Sequence, residues 1–277
     1  MTHQQGTLSS QSGCRIYTQN WQPVGTPKAV IILVHGLAEH SNRYIDIANY
    51  FTEQGYAVYA LDHEGHGHSQ GLRGYINRFD DFITTLDQYC NEITGLHPNA
   101  KLFLVGHSMG GVISTAYLLK YQQKLAGCIL SGAALATGDV ISPVQKFVVH
   151  CLSKILPKLP LLQLEANDVC HDPAVVEAYR NDPRVFTGKI RVRLISEILR
   201  TADMVIRNAA SISLPMLILH GGDDKMASPT GSEKLYAGIS SSDKTLKIYP
   251  GLYHEIFLEP EKYSIYAEIH DWMEQKL

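Results

Sequence analysis

The sequence predicts an α/β protein: a doubly wound, mostly parallel sheet with a helical insertion. Three observations carry that expectation. Short apolar runs without polar alternation recur along the chain, as in strands covered on both faces. Helical segments fall between them, and strand alternating with helix implies parallel crossovers. The alternation breaks once, between about residues 133 and 210.

The elements follow in order. Cys14–Trp21 suits an antiparallel edge strand, and Ala29–Val34 is the first buried strand. A helix over Tyr44–Gln54 leads to a second strand, Ala57–Leu61. A helix over Phe79–Gly95 precedes the strand Leu102–Val105, and Gly111–Tyr121 is the helix after it. Cys128–Leu130 is the next strand. Residues 133–210 hold several helical patterns and no convincing strand, so they are expected to form a helical cap inserted into a single domain spanning 1–277. An insertion there lies over the C-terminal ends of the strands, where open α/β sheets bind ligands. The alternation resumes with strand Met216–Leu219, helix Pro229–Ile239, strand Leu246–Tyr249 and helix Pro260–Gln275.

Composition narrows the function. Hydrophobic residues make up 45% of the 277, enough for a large core. The formal net charge of -3 argues against nucleic acid as a bulk electrostatic partner. Five scattered cysteines without a C-x-x-C pair fit ordinary buried thiols in a reducing compartment. The polar stretch Met1–Gly13 lacks the apolar core of a secretory signal, and the longest purely apolar run is too short to span a bilayer. The expectation is a cytoplasmic protein that touches membranes, if at all, from one side. No G-x-G-x-x-G follows an early strand and no phosphate-binding loop motif is present, so no nucleotide cofactor is expected.

Leu102–Gly111 reads as strand, tight turn, helix, and within it Gly106-His107-Ser108-Met109-Gly110 matches G-x-S-x-G. Flanking glycines leave room for a strained turn that lifts a serine hydroxyl above the sheet. A second match, Gly67-His68-Ser69-Gln70-Gly71, follows a strand that ends near Asp62 but opens no helix, so Ser108 is the expected nucleophile and Ser69 a loop serine. A serine hydroxyl needs a base within hydrogen-bond reach. The chain order for this fold is serine, acid, histidine. Only His254 and His270 follow the last strand; His270 falls in a helical pattern, whereas His254 sits in a loop just past a strand end. Asp223 and Asp224 follow an earlier strand, and either could orient the imidazole; spacing leaves the pair open.

Taken together, His35–Tyr44 (His-Gly-Leu-Ala-Glu-His-Ser-Asn-Arg-Tyr), Asp62–Ser69, Gly106–Gly111, Asp243–Tyr249 and Tyr253-His254 resemble the monoacylglycerol lipase family of α/β-hydrolases, with its lysophospholipase-like relatives. The resemblance covers nearly the whole chain. It implies Asp224 as the acid, three residues past Gly221; Asp223 stands where the family often has a small residue and remains the alternative. It implies an oxyanion hole from the backbone amides of Leu37 and Met109. It implies polar-head contacts from Glu39, His40, Arg43 and Tyr179, although Glu39 and Arg43 equally suit an internal salt bridge that holds the loop. His63, His66 and His68 then belong to a structural loop; they lack the ligand spacing of a hydrolytic metal site, and no metal or other cofactor is expected. The implied substrate is a lipid ester, monoacylglycerol first, then a lysophospholipid or short-chain ester. The alternative from another class is a non-catalytic binding protein on a hydrolase scaffold.

Within the insertion, Val144, Phe147, Val148, Cys151, Leu152, Ile155 and Leu156 form one apolar stripe at helical spacing. A proline-broken apolar segment, Leu156–Leu164, follows. Either the stripe packs down onto the core, or it faces outward and rests on a bilayer with Lys146, Lys154 and Lys158 toward lipid head groups.

Overall fold

A computed structural model describes residues 1–136 and 141–277. Eight strands form one sheet: β1 (Thr2–Ser9), β2 (Arg15–Gln22), β3 (Ala29–Val34), β4 (Ala57–Leu61), β5 (Lys101–His107), β6 (Gly127–Ser131), β9 (Met216–Gly221) and β10 (Lys244–Tyr249). Their spatial order is β1-β2-β4-β3-β5-β6-β9-β10. The pairings β1 with β2 and β2 with β4 are antiparallel; all others are parallel.

The unbroken apolar runs have a direct cause. In β3, Val30, Ile32 and Val34 enter one core while Ala29, Ile31 and Leu33 enter a second on the opposite face. Alternate side chains point to opposite faces, so a strand buried on both must be apolar throughout. The first core is covered by α2 (Asp80–Leu96), α3 (Met109–Tyr121), α6 (Val192–Arg207) and α7 (Thr230–Gly238). The second is covered by α1 (Ile45–Glu53) and α8 (Lys262–Glu274).

The edge differs from expectation. The strand at Arg15–Gln22 is antiparallel but paired on both sides, and the edge is β1. All of β1 except Leu8 is exposed, so no apolar pattern marks it in the sequence.

Residues between β6 and β9 hold α4 (Pro143–Ile155), α5 (Pro173–Asn181), α6 and one unexpected feature, an antiparallel pair of β7 (Pro160–Leu162) with β8 (Ile190–Arg191). The range 133–210 includes residues 137–140, which lie outside the described residues. Helix α4 starts at a capping box: Ser142 and Gln145 exchange side-chain-to-backbone bonds, and Pro143 occupies the first turn. Its polar side faces α6. Lys146 Nζ pairs with Asp203 at 3.0 Å, and His150 Nδ1 meets Ser196 Oγ at 2.7 Å. The apolar stripe consequently faces out, with Val144 72%, Phe147 68% and Ile155 75% exposed. Lys146 is therefore not directed outward with Lys154 and Lys158, as expected of it. The five cysteines are unpaired; Cys90, Cys128 and Cys170 are buried, whereas Cys151 is exposed on α4, contrary to expectation. Among the described residues no helix is long and apolar enough to cross a membrane.

Candidate active site

The strand–helix junction after β5 is a tightly constrained turn. Ser108 has φ +53°, in the left-handed region that non-glycine residues avoid. It can stay there because the neighbouring backbones close in: a Cβ on Gly106 would lie 2.7 Å from the Gly110 carbonyl oxygen, and one on Gly110 would lie 2.0 Å from that of Val34. The Ser108 amide donates to the Ser131 carbonyl at 3.0 Å, which pins the turn to β6. Helix α3 then begins at Met109. The other motif serine is spoken for. Ser69 Oγ donates to the Asp62 carbonyl at 2.5 Å and accepts from the Tyr17 amide at 2.8 Å, tying β2 to its loop.

His254 is buried in the loop after β10, its Nδ1 2.6 Å from Asp224 Oδ2. Asp224 Oδ1 accepts from the amides of Met226 and Ala227 at 2.8 and 2.9 Å, and His220 Nε2 lies 3.1 Å from Oδ2. Burial opposes its charge, but the His254 charge and these donors hold the Asp224 carboxyl well below the usual carboxylate range. Burial likewise opposes the His254 cation, yet the Asp224 carboxylate outweighs it and raises the pKa above the ordinary value. Asp223 is exposed, and its amide donates to the Leu252 carbonyl. His270 lies on α8 beside Glu274, 3.3 Å away.

Ser108 and His254 line the same cavity of about 350 Å³, within the range of small-molecule sites. Leu37, Met109, Glu39 and Tyr179 also line it. Among the described residues, neither the Leu37 nor the Met109 amide donates to an intramolecular acceptor. The Leu37 turn is held by Ala38 at φ +67°, whose carbonyl accepts from Phe186 N at 2.8 Å. The far wall is apolar: Ile195, Ile198 and Leu199 from α6, with Leu162, Leu164 and Val169.

His40 and Arg43 stand behind the cavity wall rather than on it, which corrects their expected contact with a polar head. His40 Nε2 bonds Asp182 Oδ2 at 2.9 Å. Arg43 pairs with Glu39 and Glu255 and lies 4.8 Å from the Tyr179 ring centre. Two residues went unnoticed in the sequence. His107 packs its ring 4.7 Å from that of His254, and burial, with His254 beside it, pushes its pKa down to about 3, so it is a neutral support. Glu255 follows His254 directly and faces the cavity. The only signal for either was adjacency to a motif residue.

His63 and His66 pack around His35 at ring distances of 4.3 and 5.4 Å, while His68 points to solvent. Among the described residues, no three or more His, Cys, Asp or Glu side chains converge as metal ligands.

A mostly parallel sheet whose strained serine turn lies between a central strand and its helix defines an α/β-hydrolase. Comparison with known proteins narrows the class. Residues 25–261 match the family described as serine aminopeptidase S33. A monoacylglycerol lipase of Mycolicibacterium smegmatis is 36% identical over 98% of this chain and 97% of its own. Human monoglyceride lipase is 32% identical over 97% and 90%. The crystal structure of Paleococcus ferrophilus monoacylglycerol lipase matches with a TM-score of 0.85 at 30% identity, covering 95% of this chain and 99% of that one. The chain belongs to this family of α/β-hydrolases, together with the monoacylglycerol lipases.

Proposed function

We propose that the chain hydrolyses monoacylglycerol to fatty acid and glycerol through an acyl-enzyme, with Ser108 as nucleophile, His254 as base and Asp224 as the orienting acid. The observation that carries this is the 2.6 Å His254–Asp224 bond at a cavity that also holds Ser108. Asp224 keeps the proton on Nδ1, so Nε2 is free to take the Ser108 proton as Oγ attacks the ester carbonyl. The amides of Leu37 and Met109 receive the oxyanion; losing one such donor costs about 3–4 kcal/mol. His254 then protonates the leaving glycerol and activates water to release the acid. The apolar wall from α6 suits an acyl chain. Among the described residues, four carboxylates (Glu39, Glu165, Asp168, Glu255) and one lysine (Lys225) line the cavity, which favours a neutral alcohol over an anionic head group.

The insertion serves as a cap, and α4 rests its exposed stripe on the membrane that supplies the substrate; its outward-facing side chains support this. The decisive experiment is fluorophosphonate labelling with peptide mapping. Ser108→Ala abolishes labelling and ester hydrolysis with the fold intact, and Ser69→Ala retains both. A labelled peptide containing Ser69 overturns the assignment.

A further inference from the structure

Two carboxylates share one guanidinium beneath the cavity, and the sharing joins the two loops that the reaction needs. Arg43 grips Glu255 with both prongs: Nη1 reaches Oε1, and Nη2 reaches Oε2 at 2.7 Å. The same Nη1 donates to Glu39 Oε2 at 2.9 Å. The other Glu39 oxygen accepts from the Gly36 amide and the Tyr44 hydroxyl, each at 2.6 Å. Gly36 precedes Leu37, the proposed oxyanion donor, and Glu255 follows His254, the proposed base. The Arg43, Glu39 and Glu255 side chains are only 9, 4 and 6% exposed, so water competes little and these charge-assisted contacts are stiff.

His254 meets charged or titratable groups on every side. Asp224, backed by His220, comes from the loop after β9, and His107 from the end of β5. Glu39 and Arg43 come from the loop after β3, Glu255 from its own loop, and Lys225 lies at the cavity rim. Burial raises the Glu255 pKa against the pull of Arg43, whereas at Glu39 burial is outweighed by the Arg43 charge and its other donors, which lower the pKa to about 2. With both carboxylates ionised, Glu39, Arg43 and Glu255 sum to one negative charge acting on the imidazole.

We propose that Arg43 and Glu255 are positioning residues: their two-pronged contact fixes the base loop against the oxyanion loop, and the Glu255 carboxylate stabilises the imidazolium formed when the Ser108 proton passes to His254. This rests on the Ser108–His254–Asp224 reading. Among these groups only Glu255 is both bonded to Arg43 and adjacent in sequence to the base, so geometry and charge can be separated by substitution. Glu255→Gln leaves a neutral Arg43–Glu39 pair and removes the charge beside the imidazole. Arg43→Lys keeps the charge but lacks the planar fork that grips two carboxylates at once.

The test is steady-state hydrolysis of p-nitrophenyl butyrate across pH, with thermal melts on the same preparations. Both variants lower kcat by roughly 10- to 100-fold with KM within about twofold, the scale of a small misplacement of catalytic groups. Glu255→Gln also moves the acidic limb of kcat/KM to lower pH, and Arg43→Lys leaves the limb in place. A raised KM with kcat retained makes these residues substrate contacts and overturns the proposal. A lowered melting temperature with kcat and the limb unchanged makes them structural and also overturns it. If Glu255→Gln does not fold, kcat of Arg43→Lys decides alone. Ser108→Ala and His254→Ala run in parallel: wild-type activity in either one sinks the underlying triad, independently of what Glu255→Gln does.

Discussion

Asp223 and Asp224 are neighbours in the chain with opposite surroundings, and that contrast makes a sharp prediction. Two backbone amides donate to Asp224 Oδ1 while Oδ2 takes the His254 bond. An asparagine at 224 would keep its carbonyl on those amides and turn its NH2 toward His254. Nδ1 would then have to accept, leaving the proton on Nε2, where the imidazole cannot receive one from Ser108. Asp224→Asn therefore lowers kcat by roughly 10⁴-fold, the size expected of a wrong tautomer. Asp223→Asn, at an exposed position, leaves kcat within about threefold, the usual size of a surface change. The reverse order in a kinetic comparison would overturn the assignment of the acid. The raised His254 pKa sets the sign of the pH dependence. Below it the imidazole is protonated and takes no proton, so kcat/KM falls as pH drops through a value above 6.5. At this scale the sequence was legible where a motif carries context. Ser108 and Ser69 share G-x-S-x-G, and the strand–helix context read around Ser108 alone is the context the structure has there, with Ser69 in a loop. Glu255 was not legible, because its partner Arg43 lies 212 positions away.

Elements were legible in proportion to how one-sided their surroundings are. The buried strands β3, β4 and β5 stand out because helices cover both faces, and every residue between the ends must be apolar. Strand β1 is held by its ladder to β2 and solvated on nearly all its side chains, so nothing in its composition announces it. Helix α4 is the instructive case. Its stripe was visible, but not the side it faces, which depends on long-range bonds to Asp203 and Ser196 on α6. The stripe tests the proposed docking. Val144→Ser, Phe147→Ser and Ile155→Ser combined should change the melting temperature little, since surface changes usually stay within about 0.5 kcal/mol each. Each inserted side chain contributes roughly 1.5–3 kcal/mol at full burial, so sedimentation with vesicles and turnover of vesicle-borne long-chain monoacylglycerol both drop. Hydrolysis of p-nitrophenyl butyrate stays near wild type. Equal loss of both activities would make the stripe part of the cavity wall. Leu162 is unsuitable for this test because it lines the cavity.

On the scale of the whole molecule, the insertion is bonded to both loops that flank the serine. Phe186 N donates to Ala38 O, and Glu255 N donates to Val169 O, both at 2.8 Å. The fully buried Glu259 carboxylate accepts from Tyr253 N at 3.0 Å and from His171 N at 3.1 Å, joining the base loop to the segment before α5. Substrate must therefore enter a chamber whose wall is shared by core and insertion, and whose described lining carries more acid than base. The chain's own net charge of -3 adds no long-range attraction for anions. A neutral glycerol leaving group passes this field without cost. A phosphate monoester meets carboxylates on the wall, and burial weakens the screening that salt provides at a surface. Presented at equal surface density in neutral vesicles, 1-lauroylglycerol should be turned over with kcat/KM at least tenfold above lauroyl lysophosphatidic acid, a gap of about 1.4 kcal/mol. Raising the salt from roughly 0.05 to 0.5 M shortens the Debye length several-fold and should narrow the gap without closing it, because Glu39 and Glu255 are buried. Glu165→Gln with Asp168→Asn, at the more exposed part of the wall, should narrow it further while leaving turnover of the neutral ester near wild type. Preference for the anionic lipid at low salt would reverse the reading of the cavity and make a lysophospholipid the better substrate.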